Sequence, residues 1–238
     1  MNSVVNPYDS FDPHAYLNMY YSEIGTEGDG LLRFLVDVFV DLNDGITVLE
    51  FGGGPTIIGM IAAARRASEI HYADYLPANR DVVQDWLSGN EDAFDWNPFI
   101  QRTLQYEDKS PLSDAAVSAR AQQIRNAVTR VLACDIFQTP PVHTDQLYDV
   151  VTAHYCLDAV TESKEAWYEN ILKMKRLLKL GGTLVISSLQ EARFSNLGGN
   201  KFLNVFLQEN DVSAYLERAG FLPEHIRVKS APADHAQR

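Results

Sequence analysis

The sequence predicts an α/β protein with a doubly wound, mostly parallel sheet and helices on both faces. Short apolar runs typical of buried strands alternate with amphipathic stretches typical of helices along the chain. Three consecutive glycines, Gly52–Gly54, separate the first apolar run from the next helix, at the kind of turn where such sheets bind ligands. The 238 residues are enough for one large core, so we predict a single domain over residues 1–238.

Hydrophobic periodicity and turn residues give the predicted elements in chain order. The predicted helices are 14–21, 29–42, 56–67, 77–89, most of 91–129, 164–179 and 211–220. The predicted strands are 46–51, 69–74, 130–136, 147–155, 183–188 and 224–230. Pro55 and Pro77 stand near the first turns of two of these helices, and Gly181 follows the end of helix 164–179.

The charge and composition argue against several classes of partner. The formal net charge is −12, from 20 Lys and Arg and 32 Asp and Glu, so the chain should repel nucleic acid and anionic membranes. No apolar run approaches the ~20 residues of a membrane span, and the N-terminus lacks the features of a secretion signal. Cys134 and Cys156 lie in apolar surroundings typical of core residues in a reducing compartment. We therefore expect a cytoplasmic monomer with no metal site and no nucleic-acid or membrane partner.

The glycine segment Gly52–Gly54 indicates a ligand that lies against the backbone. Glycine permits positive φ and close approach, and the following helix offers free N–H groups. A tight strand-to-helix turn is the alternative, although one glycine would satisfy it. A phosphate loop would need Lys and Ser or Thr after the glycines, where Pro55 and Thr56 stand. A dinucleotide fingerprint would need glycine at Ile57, so the spacing argues against a nicotinamide-dependent dehydrogenase.

Acidic residues end two further predicted strands. Asp74 stands where this fold places an acceptor for ribose hydroxyls, and Asp135 lies near the end of the third strand. Asp74 would accept from the ribose and Asp135 from the adenine, and the chain has no phosphate-binding loop. This combination fits an adenosine ligand that carries no phosphate. S-adenosylmethionine is the commonest ligand of this kind, and we predict it as the cofactor.

Longer motifs carry a resemblance to a known family. The segments "FDPHAYLNMYY", "GGGPTIIGMIAAA", "EIHYADYLPANRDVVQDWL", "AFDWNPF" and "LLKLGGTLVIS" follow one another as in the small-amine N-methyltransferases, which include the nicotinamide, phenylethanolamine and indolethylamine enzymes. The resemblance covers nearly the whole chain. It implies a Rossmann-like class I methyltransferase fold with a seven-stranded sheet, an N-terminal lid with its helices in residues 1–42 and a cofactor-binding α/β core in residues 43–238.

The resemblance also implies roles for individual residues. It gives cofactor contacts to Tyr16, Tyr21, Gly52, Gly53, Gly54, Thr56, Asp74, Tyr75, Asn79, Asp135, Ile136 and His154. It gives substrate contacts to Tyr16 and Tyr20, and makes Tyr16 and His154 the candidate catalytic residues. Asp158, Ser188 and Glu191 are further candidate substrate contacts: Asp158 either faces the substrate or caps the next segment, Ser188 stands at the position of a family aspartate, and Glu191 follows three residues later and could serve a different amine. Structural alternatives stay open: the tyrosines as a core-packing stripe, His154 as a pocket wall, and Glu191 as a solvated loop acid.

Three departures from the family pattern bear on function. Ser188 replaces an aspartate of the nicotinamide enzymes, and Ile58 replaces an aromatic residue. The sequence also ends at "APADHAQR", before the family's last strand, so either the sequence stops early or the sheet lacks one strand. We therefore predict an S-adenosylmethionine-dependent N-methyltransferase for a small aromatic or heteroaromatic amine other than nicotinamide. The alternative is a catalytically silent protein that binds the cofactor or a partner and retains the fold.

Overall fold

A computed structural model describes residues 7–108, 112–197, 200–232 and 234. Its centre is a five-stranded sheet in the order β3-β2-β1-β4-β5, in which every neighbouring pair is parallel. The strands are β1 (Ile46–Phe51), β2 (Ala67–Asp74), β3 (Val128–Ala133), β4 (Tyr148–His154) and β5 (Leu178–Ser187). The strand order reverses between β1 and β4, and a ligand site is expected at the carboxyl ends of these strands.

Helices connect the strands and precede the sheet. They are α1 (Pro13–Tyr20), α2 (Gly25–Val40), α3 (Ile58–Ala63), α4 (Pro77–Leu87), α5 (Asn97–Glu107), α6 (Asp114–Ala127), α7 (Lys164–Lys175) and α8 (Glu209–Arg218), with 3-10 turns at Pro7–Ser10 and Pro223–His225. Local sequence explains where several helices begin. The side chain of Asp12 caps the N-terminus of α1, and those of Ser113 and Ser163 cap the N-termini of α6 and α7.

Two hydrophobic cores cover the two faces of the sheet. Neighbouring residues of β1 point to opposite faces, so Val48 packs with α2 and α3 while Leu49 packs with α7. The first core contains Leu35 and Ile61, and the second contains Trp167. This arrangement confirms the predicted doubly wound fold.

The prediction of a strand at residues 224–230 is wrong. Pro223–His225 form a 3-10 turn, and residues 226–230 adopt no regular structure. Every residue in 226–230 is at least partly exposed, so the alternating pattern has no apolar surface to pack against. The main sheet accordingly has five strands in the described part of the chain, where the family resemblance implied seven.

An antiparallel hairpin was not predicted. Its strands are β6 (Phe194–Leu197) and β7 (Asn200–Leu203), which pair only with each other among the described residues. Strand β3 begins two residues earlier than predicted and ends at Ala133, which leaves Asp135 in the loop after the strand. No helix in the ranges given above is long and apolar enough to cross a membrane.

Candidate active site

A cavity of about 820 Å³ opens at the carboxyl ends of β1, β2 and β4. The glycine segment Gly52–Gly54 and the ends of these strands form its floor. Residues of the N-terminal segment (residues 8–21) and of the hairpin form its roof. The lining includes Tyr16, Tyr20, Tyr21, Gly52, Gly53, Gly54, Thr56, Asp74, Tyr75, Asn79, Asp135, Ile136 and His154, so the structure brings together every residue predicted to contact the cofactor.

The three glycines meet different requirements. Gly52 has a φ of +64°, and a β-carbon there would lie 2.2 Å from Cys156 Sγ. A β-carbon on Gly53 would lie 2.6 Å from the ring of Tyr72. Gly54 has a φ of +63° and no atom within 4 Å of its β-carbon position, so its open side lies on the cavity. Packing and backbone conformation therefore account for Gly52 and Gly53, and Gly54 leaves the space that a ligand can use.

Asp74 ties the end of β2 to the glycine segment. Its Oδ2 accepts a hydrogen bond from Gly54 N at 2.8 Å, and its Oδ1 accepts bonds from Leu76 N and Asn79 Nδ2, both at 2.9 Å. A carboxylate has about four acceptor sites, so one remains for an external donor. Burial raises the pKa of Asp74, against hydrogen bonds that lower it. The buried Asn79 Oδ1 has no hydrogen-bond partner among the described residues.

The loop after β3 supplies the next part of the floor. Asp135 is half-buried, and its Oδ1 accepts a hydrogen bond from Phe137 N at 2.9 Å. The backbone N–H of Asp135 donates to Pro141 O at 2.8 Å. Ile136 is buried, and its carbonyl accepts a hydrogen bond from Lys173 Nζ at 2.5 Å. These contacts fix a carboxylate and an apolar side chain side by side, as an adenine ring requires.

His154 ends β4 as a buried, uncharged imidazole. Its Nδ1 lies 2.9 Å from Ser187 Oγ, and its Nε2 is buried with no partner in the part of the chain that is described. Burial lowers the pKa of His154 to about 4, so the ring is neutral at pH 7. His154 lines the cavity, so this part of the wall is a neutral ring that adds no positive charge.

Aromatic residues of the N-terminal segment and the hairpin build the roof. The ring centroid of Tyr16 lies 5.0 Å from that of Tyr20 and 5.8 Å from that of Tyr21. Tyr8 packs against Phe202 of the hairpin at 5.2 Å. Leu17 of α1 and Tyr21 are buried in the core, and Tyr16 and Tyr20 pack against it. Tyr16, Tyr20 and Tyr21 also line the cavity.

Three residues predicted to contact the substrate do not line the cavity. Asp158 is completely buried, and its Oδ2 accepts a hydrogen bond from Leu189 N at 2.9 Å. Ser188 Oγ is buried without a partner in the described residues. Glu191 is exposed, and its Oε1 accepts a hydrogen bond from Gln208 Nε2 at 3.1 Å. Direct contact of these three side chains with a substrate therefore has no support in the geometry.

Other residues of the cavity wall were missed by sequence reasoning. Phe11 belongs to the segment "FDPHAYLNMYY", whereas Tyr8 precedes that segment, and Phe202 and Asn204 lie in a stretch with no periodic signal. Cys134 and Cys156, interpreted as core residues, are free thiols that also line the cavity. Burial raises the pKa of Cys134 to about 12, which keeps its thiol protonated.

Adenosine fits this set of residues. The remaining acceptor site of Asp74 suits a ribose hydroxyl, and the Asn79 amide holds the carboxylate in place. The open side of Gly54 gives room for a chain to pass the backbone. No group of three or more His, Cys, Asp or Glu side chains within the described ranges is arranged to hold a metal ion.

Known structures share the fold. The magnesium protoporphyrin IX methyltransferase of Synechocystis PCC 6803 superposes with a TM-score of 0.55 at 13% identity, covering 93% of this chain and 89% of that chain. The CcbJ methyltransferase of Streptomyces caelestis gives a TM-score of 0.54 at 14% identity, covering 88% of each chain. At these identities the likeness concerns the fold alone, and it confirms the predicted Rossmann-like class I architecture.

Sequence comparisons identify the family. Nicotinamide N-methyltransferase of Homo sapiens is 30% identical over 232 residues, which cover 92% of this chain and 85% of that relative. Indolethylamine N-methyltransferase of Mus musculus is 30% identical over 222 residues, with 88% and 81% covered. The model of the NNMT/PNMT/TEMT family matches residues 2–237. The chain therefore belongs to the NNMT/PNMT/TEMT family, as its sequence motifs predicted.

Proposed function

We propose that this protein transfers the methyl group of S-adenosylmethionine to the nitrogen of a small aromatic or heteroaromatic amine. Family membership confirms the predictions of an N-methyltransferase and of this cofactor. The observation that carries the assignment to this cavity is the Gly54–Asp74–Asn79 cluster, which leaves acceptor sites at the switch point of the sheet. An aromatic roof lies over the same space.

The cofactor-binding residues fall into three groups in this proposal. Asp74 takes the ribose, and Asn79 holds its carboxylate in place. Asp135 and Ile136 hold the adenine, and Tyr75 stands at the rim beside them. The glycine segment, with Thr56 closing it through a hydrogen bond from its Oγ1 to Gly53 O at 2.8 Å, lies against the methionine part. Tyr16 and Tyr21 complete the enclosure from above.

The chain contributes alignment and exclusion of water more than acid–base chemistry. The bound cofactor supplies an already activated methyl group on a sulfonium. The roof rings of Tyr16 and Tyr20 enclose the site, and a closed site keeps the amine and the methyl group in line. His154 accepts or donates one hydrogen bond as a neutral ring, so it adds no positive charge near a cationic ligand. A pKa of about 4 makes His154 a weak base, and we assign it orientation of the reactants.

The cavity wall favours a flat and positively charged ligand. Tyr8, Phe11 and Phe202 provide ring faces at one end. Of the charged side chains in its described lining, five are carboxylates and one is a lysine; these are Glu27, Asp74, Asp135, Glu162, Asp234 and Lys201. This balance attracts the sulfonium of the cofactor and the ammonium form of an amine, which must release its proton to water before the nitrogen lone pair can attack the methyl group.

Nicotinamide is one of the amines to be tested as the methyl acceptor. Ser188, the residue whose identity disfavours nicotinamide, does not line the cavity. The relatives at 30% identity include nicotinamide N-methyltransferase. Nicotinamide therefore belongs in the acceptor panel beside indolethylamine and phenylethanolamine, the amines named in the other relatives.

One experiment separates an enzyme from a catalytically silent protein. The purified chain is incubated with methyl-labelled S-adenosylmethionine and each amine, and labelled product is measured. We expect transfer to at least one amine, and loss of transfer in Asp74→Ala. Tight binding of the cofactor with no transfer to any amine would instead favour the silent protein.

A further inference from the structure

We infer that Lys173 is a positioning residue for the cofactor: its ammonium group holds the peptide unit between Ile136 and Phe137 and, through that unit, orients the Asp135 carboxylate toward the 6-amino group of adenine. This inference rests on the proposed function, which places the adenine against Asp135 and Ile136. It adds a residue of α7 that is not part of the described cavity lining.

The contact of Lys173 joins α7 to the loop after β3. Its Nζ donates a hydrogen bond to the carbonyl oxygen of Ile136 at 2.5 Å, and this bond is partly buried. Ile171 and Met174 of α7 are buried in the second core, and Ile136 is buried in the same core, so packing anchors both ends of the bond. A hydrogen bond from a charged donor is stronger than one between neutral groups.

The carbonyl that Lys173 contacts belongs to the same peptide unit as the N–H of Phe137. A peptide unit is planar, and its C=O and N–H groups point in opposite directions. The N–H of Phe137 donates to Oδ1 of Asp135 at 2.9 Å. Lys173 therefore fixes the plane that sets the direction of this donor. An ammonium group on the carbonyl also polarises the N–H and strengthens its bond to the carboxylate.

The same loop leaves one acceptor and one donor unused. Oδ2 of Asp135 and the N–H of Ile136 make no hydrogen bond within the part of the chain that the structure describes. The flanking groups are occupied, since Asp135 N donates to Pro141 O at 2.8 Å and Gln138 N donates to Asp135 O at 3.0 Å. Asp135 is half-buried, and both it and Ile136 line the cavity. A carboxylate only accepts and a backbone N–H only donates, so this pair complements the 6-amino group and N1 of adenine.

The orientation of the Asp135 carboxylate determines which base is accepted. Hypoxanthine carries an oxygen in place of the 6-amino group, so it presents an acceptor to another acceptor. A carboxylate held in one orientation should reject this base, whereas a carboxylate that is free to turn should reject it less. Lys173 is therefore expected to affect the choice between the two bases, which is a difference of two affinities, more than the affinity for the adenine ligand itself.

The test measures the binding of S-adenosylhomocysteine and of its hypoxanthine analogue S-inosylhomocysteine to the full chain, by calorimetry. Lys173→Met keeps the aliphatic stem and removes the donor, and Lys173→Gln is a second variant with a neutral head. Lys173→Arg retains a charged donor. Lys175→Met is the matched control, because Lys175 also lies in the last turn of α7 and donates to a backbone carbonyl, Ala219 O, at 2.5 Å, away from the described cavity lining.

We expect wild type to prefer S-adenosylhomocysteine by about tenfold or more, as the loss of a hydrogen bond to a charged group implies. Lys173→Met and Lys173→Gln should lower this preference by about threefold or more, because the carboxylate loses its fixed donor. Lys173→Arg should restore most of the preference, a rescue that a general packing role would not give. Lys175→Met should keep the wild-type preference.

A double-mutant cycle shows whether Lys173 acts through Asp135. Asp135→Ala removes the carboxylate and should remove most of the base preference. Adding Lys173→Met to Asp135→Ala should then change the preference no further, although each single substitution lowers it. Two residues with independent structural roles would instead lower the preference additively.

The inference would be overturned by an unchanged preference in a folded Lys173→Met or Lys173→Gln variant, by equal weakening of both ligands, by the same loss in Lys175→Met, or by a wild type that binds neither ligand or shows no preference. Methyl transfer by wild type is measured separately. A base preference that depends on Lys173, without transfer to any amine, keeps this inference and rejects the proposed function. Transfer by a protein whose base preference is indifferent to Lys173 does the reverse.

Discussion

A β-carbon added to Gly59 would lie 2.1 Å from Oε2 of Glu50. Glu50 belongs to β1 and is almost fully buried, and Gly59 lies in the first turn of α3. The carboxylate thus occupies the space that any larger residue at position 59 would need. It also accepts a hydrogen bond from Thr152 Oγ1 of β4. Glu50 and Gly59 therefore fit each other, because the glycine leaves the space that the buried carboxyl group fills.

This contact between Glu50 and Gly59 predicts that a methyl group added at position 59 destabilises the folded protein. Gly59→Ala should lower the free energy of unfolding by about 1–3 kcal/mol, because overpacking forces the carboxylate or α3 to move. Urea denaturation measures the change. Gly28→Ala is the control, since a β-carbon there would lie 3.6 Å from Ile24 and make ordinary contact. Equal stability of Gly59→Ala and wild type would contradict the pairing.

Glu50 also predicts a dependence of stability on pH. Burial raises the pKa of Glu50 from 4.5 to about 7, so its contribution to stability is present below pH 4.5 and lost as pH rises through 7. His154 acts oppositely: its lowered pKa gives a contribution that is present above pH 6.5 and lost as pH falls through 4. Between pH 6.5 and 8 the Glu50 effect therefore dominates.

The measurement compares urea denaturation at pH 6.5 and pH 8. Wild type should show a net loss of less than about 1 kcal/mol of unfolding free energy over this interval, because the loss through Glu50 is partly offset by the gain through His154. Glu50→Gln keeps the shape and cannot ionise, so its stability should not fall over this interval. A parallel pH profile for the two proteins would show that Glu50 does not titrate in this range.

Asp74 predicts the strength of cofactor binding. Removing its carboxylate in Asp74→Ala takes away the ribose acceptor and the anchor of Gly54 and Asn79. Hydrogen bonds to charged groups contribute about 1.5–3 kcal/mol, so affinity for S-adenosylhomocysteine should fall at least tenfold in calorimetric titration. Asp85→Ala, on the exposed side of α4, should bind as wild type does. Unchanged affinity in a folded Asp74 variant would reject the ribose assignment.

The N-terminal segment is predicted to act as a lid. Tyr20 Oη donates a hydrogen bond to Asn196 O of the hairpin at 3.0 Å, so the segment and the hairpin are joined over the cavity. A bound cofactor should hold this arrangement closed and slow proteolysis near Tyr16. Tyr20→Phe loses the hydrogen bond and should be cleaved faster than wild type. Binding without any protection would mean that α1 is only a packing helix.

The floor of the site was predictable because local sequence determines it. A buried strand followed by glycines, or by an acid, places those residues at the carboxyl edge whatever the remaining chain does. Gly54 and Asp74 were therefore located from the sequence, and the structure joins them by a hydrogen bond of 2.8 Å. The family motifs added Asn79, whose amide completes the same cluster.

The roof was not predictable in this way because contacts between distant residues create it. Phe202 of the hairpin becomes part of the roof through its packing on Tyr8, and neither residue carries a periodic signal that reveals the other. The same limit explains residues 224–230, where a strand-like pattern found no partner strand. Ser188 and Asp158 are next in the chain to residues that line the cavity, Leu189 and Ala159. Their own side chains point elsewhere, because the local backbone conformation decides which way each side chain faces.

The two-part roof has a consequence for how the protein is made. Tyr20 and Asn196 are 176 residues apart in the chain, and Tyr8 and Ala159, joined by a hydrogen bond of 2.8 Å, are 151 apart. A ribosome adds roughly 5–20 residues per second, so the tyrosines leave it many seconds before their hairpin partners exist. When the hairpin is synthesised, strands β1 to β4 of the floor have already been made. Until that point the aromatic N-terminal segment has no hairpin to pack against. Closure of the cavity by both parts of the roof is therefore one of the last events of synthesis.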